Sequence, residues 1–226
     1  NGSFLRINKH SNINSRSDFE IMIKERKQTE VIFVRHGETD FNKANLYFGH
    51  LDPELNETGI NQILNTKETL KKIEDEIDIV FCSPLKRCSK SMELLELKNI
   101  SKIFEESFKE LSFGVFEGKT YEEIKEKYPN KIDEMRNNWK KFKAEKGESL
   151  EELLDRTIEK LEEIMIKYEN KKILIIAHAG VIKVILSYFL YGNVDGYWKL
   201  KVDNGSISKI CKLEDGYVYL DYINRI

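Results

Sequence analysis

Apolar positions along the chain fall into short continuous runs separated by longer amphipathic stretches. VIFV at 31–34, the DIVFC run at about 78–82 and ILIIA at 173–177 are rich in β-branched residues and predict strands buried on both faces. Between them the period lengthens to that of helices, predicted at about 57–74, 84–97, 120–137, 149–169 and 180–191. Ser149 with Glu152 forms a capping box for the fourth helix. Ser83 is read as the N-cap of the second, with Pro84 at the position where a missing N–H costs nothing. The last two segments, about 206–213 and 217–223, alternate around Glu214-Asp215-Gly216, a hairpin signal. Strands alternating with helices predict an α/β fold: a three-layer α/β/α sandwich on a mostly parallel central sheet, with helices on both faces.

Residues 1–30 lack this patterning apart from a short FEIMI cluster at 19–23 and are read as a polar N-terminal extension. The chain begins with Asn, so Met22 is a candidate native initiator; a regulatory arm is the alternative. Residues 31–226 form one domain, with no internal repeat or low-complexity linker to divide it. The N-terminus lacks the charged-then-apolar pattern of a signal peptide. The longest apolar run, 181–191, is too short to span a bilayer and contains Lys183, so no membrane association is expected.

Composition narrows the function classes. A net charge of −2, with 34% charged residues, argues against a nucleic-acid binder driven by bulk charge. Cys82, Cys88 and Cys211 are odd in number and show no zinc-ligand spacing, which reads as reduced packed thiols in a cytoplasmic protein. Cys82 and Arg87 are one residue too close for a cysteine-phosphatase loop, and Ser-Pro-Leu is no glycine-rich cradle. His10 in the leader and His50 in a loop have no partners at ligand spacing, so no metal is expected.

Candidate chemistry sits at the strand ends. The first strand runs into Arg35-His36-Gly37-Glu38-Thr39, placing a histidine beside an arginine where ligands of open α/β sheets gather. The guanidinium disfavours imidazolium, which keeps a His36 lone pair available for attack. A second strand delivers His178, Ala179 and Gly180. Arg87 falls in the first turn of a helix, where the helix dipole already favours an anion.

In order along the chain stand RHGETxxN (Arg35 to Asn42), SPLKR (Ser83 to Arg87), Glu110-Leu111-Ser112-Phe113-Gly114-Val115-Phe116-Glu117-Gly118, and HAG (His178 to Gly180). This set resembles the signatures of the histidine phosphatase superfamily, the phosphoglycerate-mutase-like group, over nearly everything from Val31 onward. The resemblance implies that His36 is the nucleophile forming a phosphohistidine. It implies that Arg35, Arg87 and His178 complete the phosphate pocket, with Asn42 and the backbone at Gly37 and Ala179 binding substrate. Glu110 would be the general acid, then the base that activates water. No cofactor is implied.

Three activities fit this resemblance: a metal-independent phosphomonoesterase for a small phosphorylated metabolite, a cofactor-dependent phosphoglycerate mutase, and a catalytically silent phospho-ligand or protein-binding module. The completeness of the catalytic set disfavours the third. Only about thirty residues separate Gly118 from the Gly147-Glu148-Ser149 turn, without the long basic insertion of the mutases resembled, which favours the phosphatase. In layout the chain is similar to short members such as the α-ribazole phosphatases, so α-ribazole 5′-phosphate, an intermediate of cobalamin synthesis, is the named substrate candidate. Lys127, Lys131, Arg136, Lys140 and Lys141 are read as a solvated helix face, and His50 as a surface residue. Trp139 and Phe142 are read as core rather than as a lid. The oligomeric state is open, a homodimer being one outcome.

Overall fold

The computed structural model describes residues 26–74 and 76–226. Its centre is one six-stranded sheet built from β1 (Gln28–Arg35), β2 (Ile79–Cys82), β3 (Ser101–Phe104), β4 (Lys172–Ala177), β5 (Ile207–Leu213) and β6 (Val218–Arg225), in the order β3-β2-β4-β1-β5-β6. The four strands from β3 to β1 are parallel; β5 and β6 are antiparallel additions at one edge. β1 starts at Gln28, inside the segment assigned to the extension; Met22 and the 19–23 cluster lie outside the described residues.

Continuous apolar runs arise because both faces of the central strands are covered. Val31, Phe33, Ile173 and Ile175 point to one side, packing on Leu153, Leu161, Val181 and Ile185. Ile32, Val34, Leu174 and Ile176 point to the other, against Ile63, Leu70, Cys88 and Met92. The helices supplying those partners are α2 (Glu57–Ile73) and α3 (Lys86–Leu94) on one face and α6 (Leu150–Lys167) and α7 (Ala179–Tyr191) on the other. The three-layer sandwich is therefore present, and Cys82, Cys88 and Cys211 are all buried free thiols within it.

The elements depart from expectation at three places. Ser83 is not a cap: α3 begins at Lys86 with Leu85 as N-cap, and the Asp52 carboxylate accepts the Lys86 N–H at 2.8 Å in the role expected of Ser83. The single helix expected over 120–137 is two, Tyr121–Lys127 (α4) and Pro129–Asn137 (α5), because the residue before a proline is steered away from helical dihedrals. Tyr128 accordingly sits at φ −133° and ψ 54°. Strand β3 went unforeseen: it is four residues long and exposed throughout at the sheet edge, so it carries no burial pattern. The capping box of Ser149 and Glu152 and the final hairpin are where the pattern places them. One further short helix, α1 (Asp40–Lys43), follows β1 closely.

Candidate active site

The parallel strands β1, β2 and β4 end in register, with Arg35 opposite Ala177 and Cys82 opposite Ile176. Their outgoing loops therefore meet at one edge of the sheet, where a cavity of about 460 Å³ is lined by Arg35, His36, Asn42, Arg87, Glu110 and Ala179 among others. Six residues from four separate segments of the chain face one space.

His36 is buried, and its Nδ1 lies 2.7 Å from the Gly37 carbonyl oxygen. A carbonyl only accepts, so Nδ1 carries the proton and Nε2 keeps the lone pair. Gly37 is required for this turn, since a Cβ there would collide with the backbone of Gly59. Its own N–H donates to Ser91 Oγ, which in turn donates to the Arg87 carbonyl, tying the first site loop to α3.

Arg87 is fully buried and held by all three of its nitrogens. Nε donates to His178 Nδ1 at 3.2 Å, Nη1 to the Leu51 carbonyl and Nη2 to the Gly49 carbonyl, with the Phe48 ring 4.9 Å away. An arginine can only donate, so His178 is unprotonated at Nδ1 and its Nε2–H is left for Ser83 Oγ at 2.7 Å. That bond is the actual task of Ser83. His178, expected in the phosphate pocket, is fully buried and does not line the cavity; its ring stands edge-on to His36 at 5.1 Å, with both nitrogens engaged. Arg35 is held by Nη1 on the Val202 carbonyl, while its buried Nε has no partner among the described residues. Asn42 accepts two bonds from Thr39 at its amide oxygen, which leaves the amide nitrogen as the group able to donate to a ligand.

Glu110 reaches the start of α7. One carboxylate oxygen accepts the Gly180 N–H at 3.0 Å and the other its neighbour Leu111 N–H at 2.9 Å. This placement depends on glycine at 180, because a Cβ there would strike the Glu110 carboxylate. We expect Gly180→Ala to fold, alanine being the better helix former, yet to lose on the order of 100-fold in kcat as the carboxylate is displaced. Steady-state kinetics checks this; an unchanged kcat would detach Glu110 from the chemistry.

Burial is the first reason that both imidazoles titrate well below the ordinary range; for each, Arg87 is the next cause, and Arg35 contributes further. Both rings are therefore neutral where an unfolded chain binds protons, so stability is full above about pH 6.5 and falls as pH drops below it. The slope should reach up to about 1.4 kcal/mol per pH unit for each ring. Urea midpoints measured between about pH 7.5 and 5.5 test this; a flat profile would mean the rings are not held neutral.

Arg156, Asn204 and Tyr197 leave no signal in the sequence, and Glu117 shows there only as part of the motif from Glu110 to Gly118. Arg156, on α6, forks onto Glu148 at 2.6 and 2.9 Å and donates to the Ser107, Lys109 and Glu110 carbonyls, clamping the segment that carries Glu110. Glu117 accepts the His50, Leu51 and Phe113 N–H groups and so fixes the loop whose carbonyls hold Arg87. Asn204 donates to the His36 carbonyl at 3.1 Å. Tyr197 lines the cavity, its hydroxyl pushed to a higher pKa by burial and then by Glu110. Apart from Glu148 and Phe113, the partners lie 46 to 168 positions away, beyond the reach of a local pattern. His50 is exposed, as expected, with Nε2 3.1 Å from the Glu110 carbonyl. Among the predicted surface cations, Lys131 pairs with Glu134, Lys140 with Asp195, and Arg136 donates to the Tyr121 hydroxyl. Among the described residues, no group of three or more His, Cys, Asp or Glu is arranged to hold a metal ion, and no helix is long and apolar enough to cross a membrane.

Residues 31–225 match the family model described as histidine phosphatase superfamily (branch 1). The chain is 33% identical to the uncharacterized phosphatase PhoE of Bacillus subtilis over 86% of its own length and 94% of that protein. It is 30% identical to phosphoserine phosphatase 1 of Hydrogenobacter thermophilus, covering 80% of this chain and 85% of the other. In fold it is similar to the crystal structure of a putative α-ribazole-5′-P phosphatase from Escherichia coli, with a TM-score of 0.79 at 24% identity, covering 87% of this chain and 96% of that one.

Proposed function

Because the chain belongs to the histidine phosphatase superfamily (branch 1) and is an enzyme of the phosphatase class, we propose that it hydrolyses a small phosphomonoester without a metal, through a phosphohistidine at His36. One observation carries this reading: a neutral His36, its Nδ1 proton fixed on Gly37, keeps its Nε2 lone pair in a cavity walled by Arg35, Arg87 and Glu110.

In the first step His36 Nε2 attacks phosphorus in line while the bond to the ester oxygen breaks. Glu110 gives that oxygen its proton, since an alkoxide is a poor leaving group at neutral pH. In the second step Glu110 takes a proton from water, the water oxygen bonds to phosphorus, the P–N bond breaks and inorganic phosphate leaves. Charge on the non-bridging oxygens is met by Arg35, Arg87, the Asn42 amide and the free N–H at the start of α7. An anion in the cavity would also offer an acceptor to the buried Arg35 Nε, a donor costly to leave unmatched. His178 acts through Arg87, whose Nε it holds. Ala179 contributes backbone at the pocket wall; Gly37, expected to bind substrate, does not line the cavity, because its N–H is spent on Ser91 and its carbonyl on His36, and it acts by orienting that ring.

α-Ribazole 5′-phosphate, which would place the enzyme in cobalamin synthesis, and phosphoserine are the substrate candidates, supported by a neighbour's fold and by a relative's name respectively. Three buried free thiols suit a reducing cytoplasm. Phosphate release is measured on a panel holding both candidates and 3-phosphoglycerate, in the presence of EDTA. Release that survives EDTA is the expected result. Interconversion of phosphoglycerates without release would mean a mutase, and neither release nor interconversion would mean a binding module.

A further inference from the structure

A second cavity, of about 420 Å³, adjoins the catalytic one and shares Tyr47, Phe113 and Tyr197 with it. Its remaining wall includes Leu111, Met135, Trp139, Phe142 and Trp198. Trp139 and Phe142 are thus both core and wall: Phe142 stacks on buried Phe116 at 5.9 Å, while Trp139 meets Trp198 edge-on at 6.1 Å. Trp198 is 68% exposed and contributes to the wall of this cavity. Its ring is set in place by Tyr197, edge-on at 4.9 Å, and by the Lys183 ammonium, which lies over both rings.

The chain path relates the two cavities to the reaction. Glu110 lines the catalytic cavity, and the very next residue, Leu111, lines the aromatic one. The group that protonates the leaving oxygen therefore stands at the boundary, so what is attached to that oxygen has the aromatic cavity within reach. The two charged residues on its wall already have charged partners, Glu148 in Arg156 and Arg136 in Asp133, and Arg136 also donates to the Tyr121 hydroxyl. A carboxylate on the leaving group would gain little there, whereas an apolar ring would displace water from aromatic walls.

We propose that the Tyr47–Phe113–Tyr197 border opens onto a leaving-group subsite for an apolar, ring-bearing alcohol, so that phosphate esters of such alcohols are favoured over small charged ones. This rests on the hydrolase reading. The test compares kcat/KM for 2-phenylethyl phosphate and ethyl phosphate, whose primary alcohols are of similar acidity, so that the chemical step is matched. The 2-phenylethyl ester should be favoured by at least about tenfold. Trp198→Ala and Met135→Lys, at partly or largely exposed positions where folding should tolerate change, should each erase most of that ratio. Ile166→Ala, at an exposed position on α6 that lines neither cavity, should not. A wild-type ratio near one, or a ratio unmoved by both wall substitutions, would overturn the proposal. No release from either ester would instead remove the hydrolase reading, and the subsite with it.

Discussion

Replacing His36 with alanine should abolish phosphorylation of the protein and lower kcat by a factor on the order of 10⁴ to 10⁶, the scale seen when a covalent nucleophile is removed. The reason is geometric. Arg35, Arg87, Asn42 and the start of α7 can gather and polarise a phosphate, but among the described residues only His36 presents a neutral nitrogen lone pair there. His178 cannot stand in for it, since its Nδ1 is bonded to Arg87 and its Nε2 to Ser83. Phosphate binding should survive the substitution, because the guanidiniums are held by backbone carbonyls and by His178 rather than by His36. Stopped assays for released phosphate, paired with calorimetric titration of inorganic phosphate, separate the two effects. Retained turnover would exclude His36 as the nucleophile.

Glu110→Gln should give the second large loss, about 10²- to 10⁴-fold on alkyl phosphates. The amide cannot give up a proton to the ester oxygen, so the loss should shrink as the leaving group becomes a better one. An activated aryl phosphate should be cleaved almost as fast as before in its first step. The amide oxygen can still accept the Gly180 N–H while the bond from Leu111 N–H is given up, and the segment remains clamped by Arg156. Rates against leaving-group pKa for both proteins provide the readout. Parallel lines, with equal losses for alkyl and aryl esters, would take Glu110 out of the acid role.

The framework of the fold was readable because buried parallel strands write themselves as unbroken β-branched runs. VIFV and ILIIA became β1 and β4, and the residues just past them became the rim of the cavity. What could not be read was whatever depends on partners distant in sequence. Ser83 looks like a cap because serine before proline commonly is one; its hydroxyl instead meets His178, 95 positions away. Arg156 sits on the first half of an amphipathic helix like any solvated arginine, and only the packed structure reveals the carbonyls it gathers. Trp139 and Phe142 pack against the core and also line a cavity, and periodicity cannot tell a filled core from the wall of a cavity.

The central claim is that turnover passes through a phosphoryl group on His36. Mixing enzyme with substrate, quenching within milliseconds in alkali, where phosphohistidine persists, and mapping the modified peptide by mass spectrometry tests it most directly. A phosphoryl group on the peptide containing His36, formed and lost at rates matching turnover, is the predicted result. A chain that turns over substrate with no phosphoryl group on it, or with the group on another residue, would contradict the account.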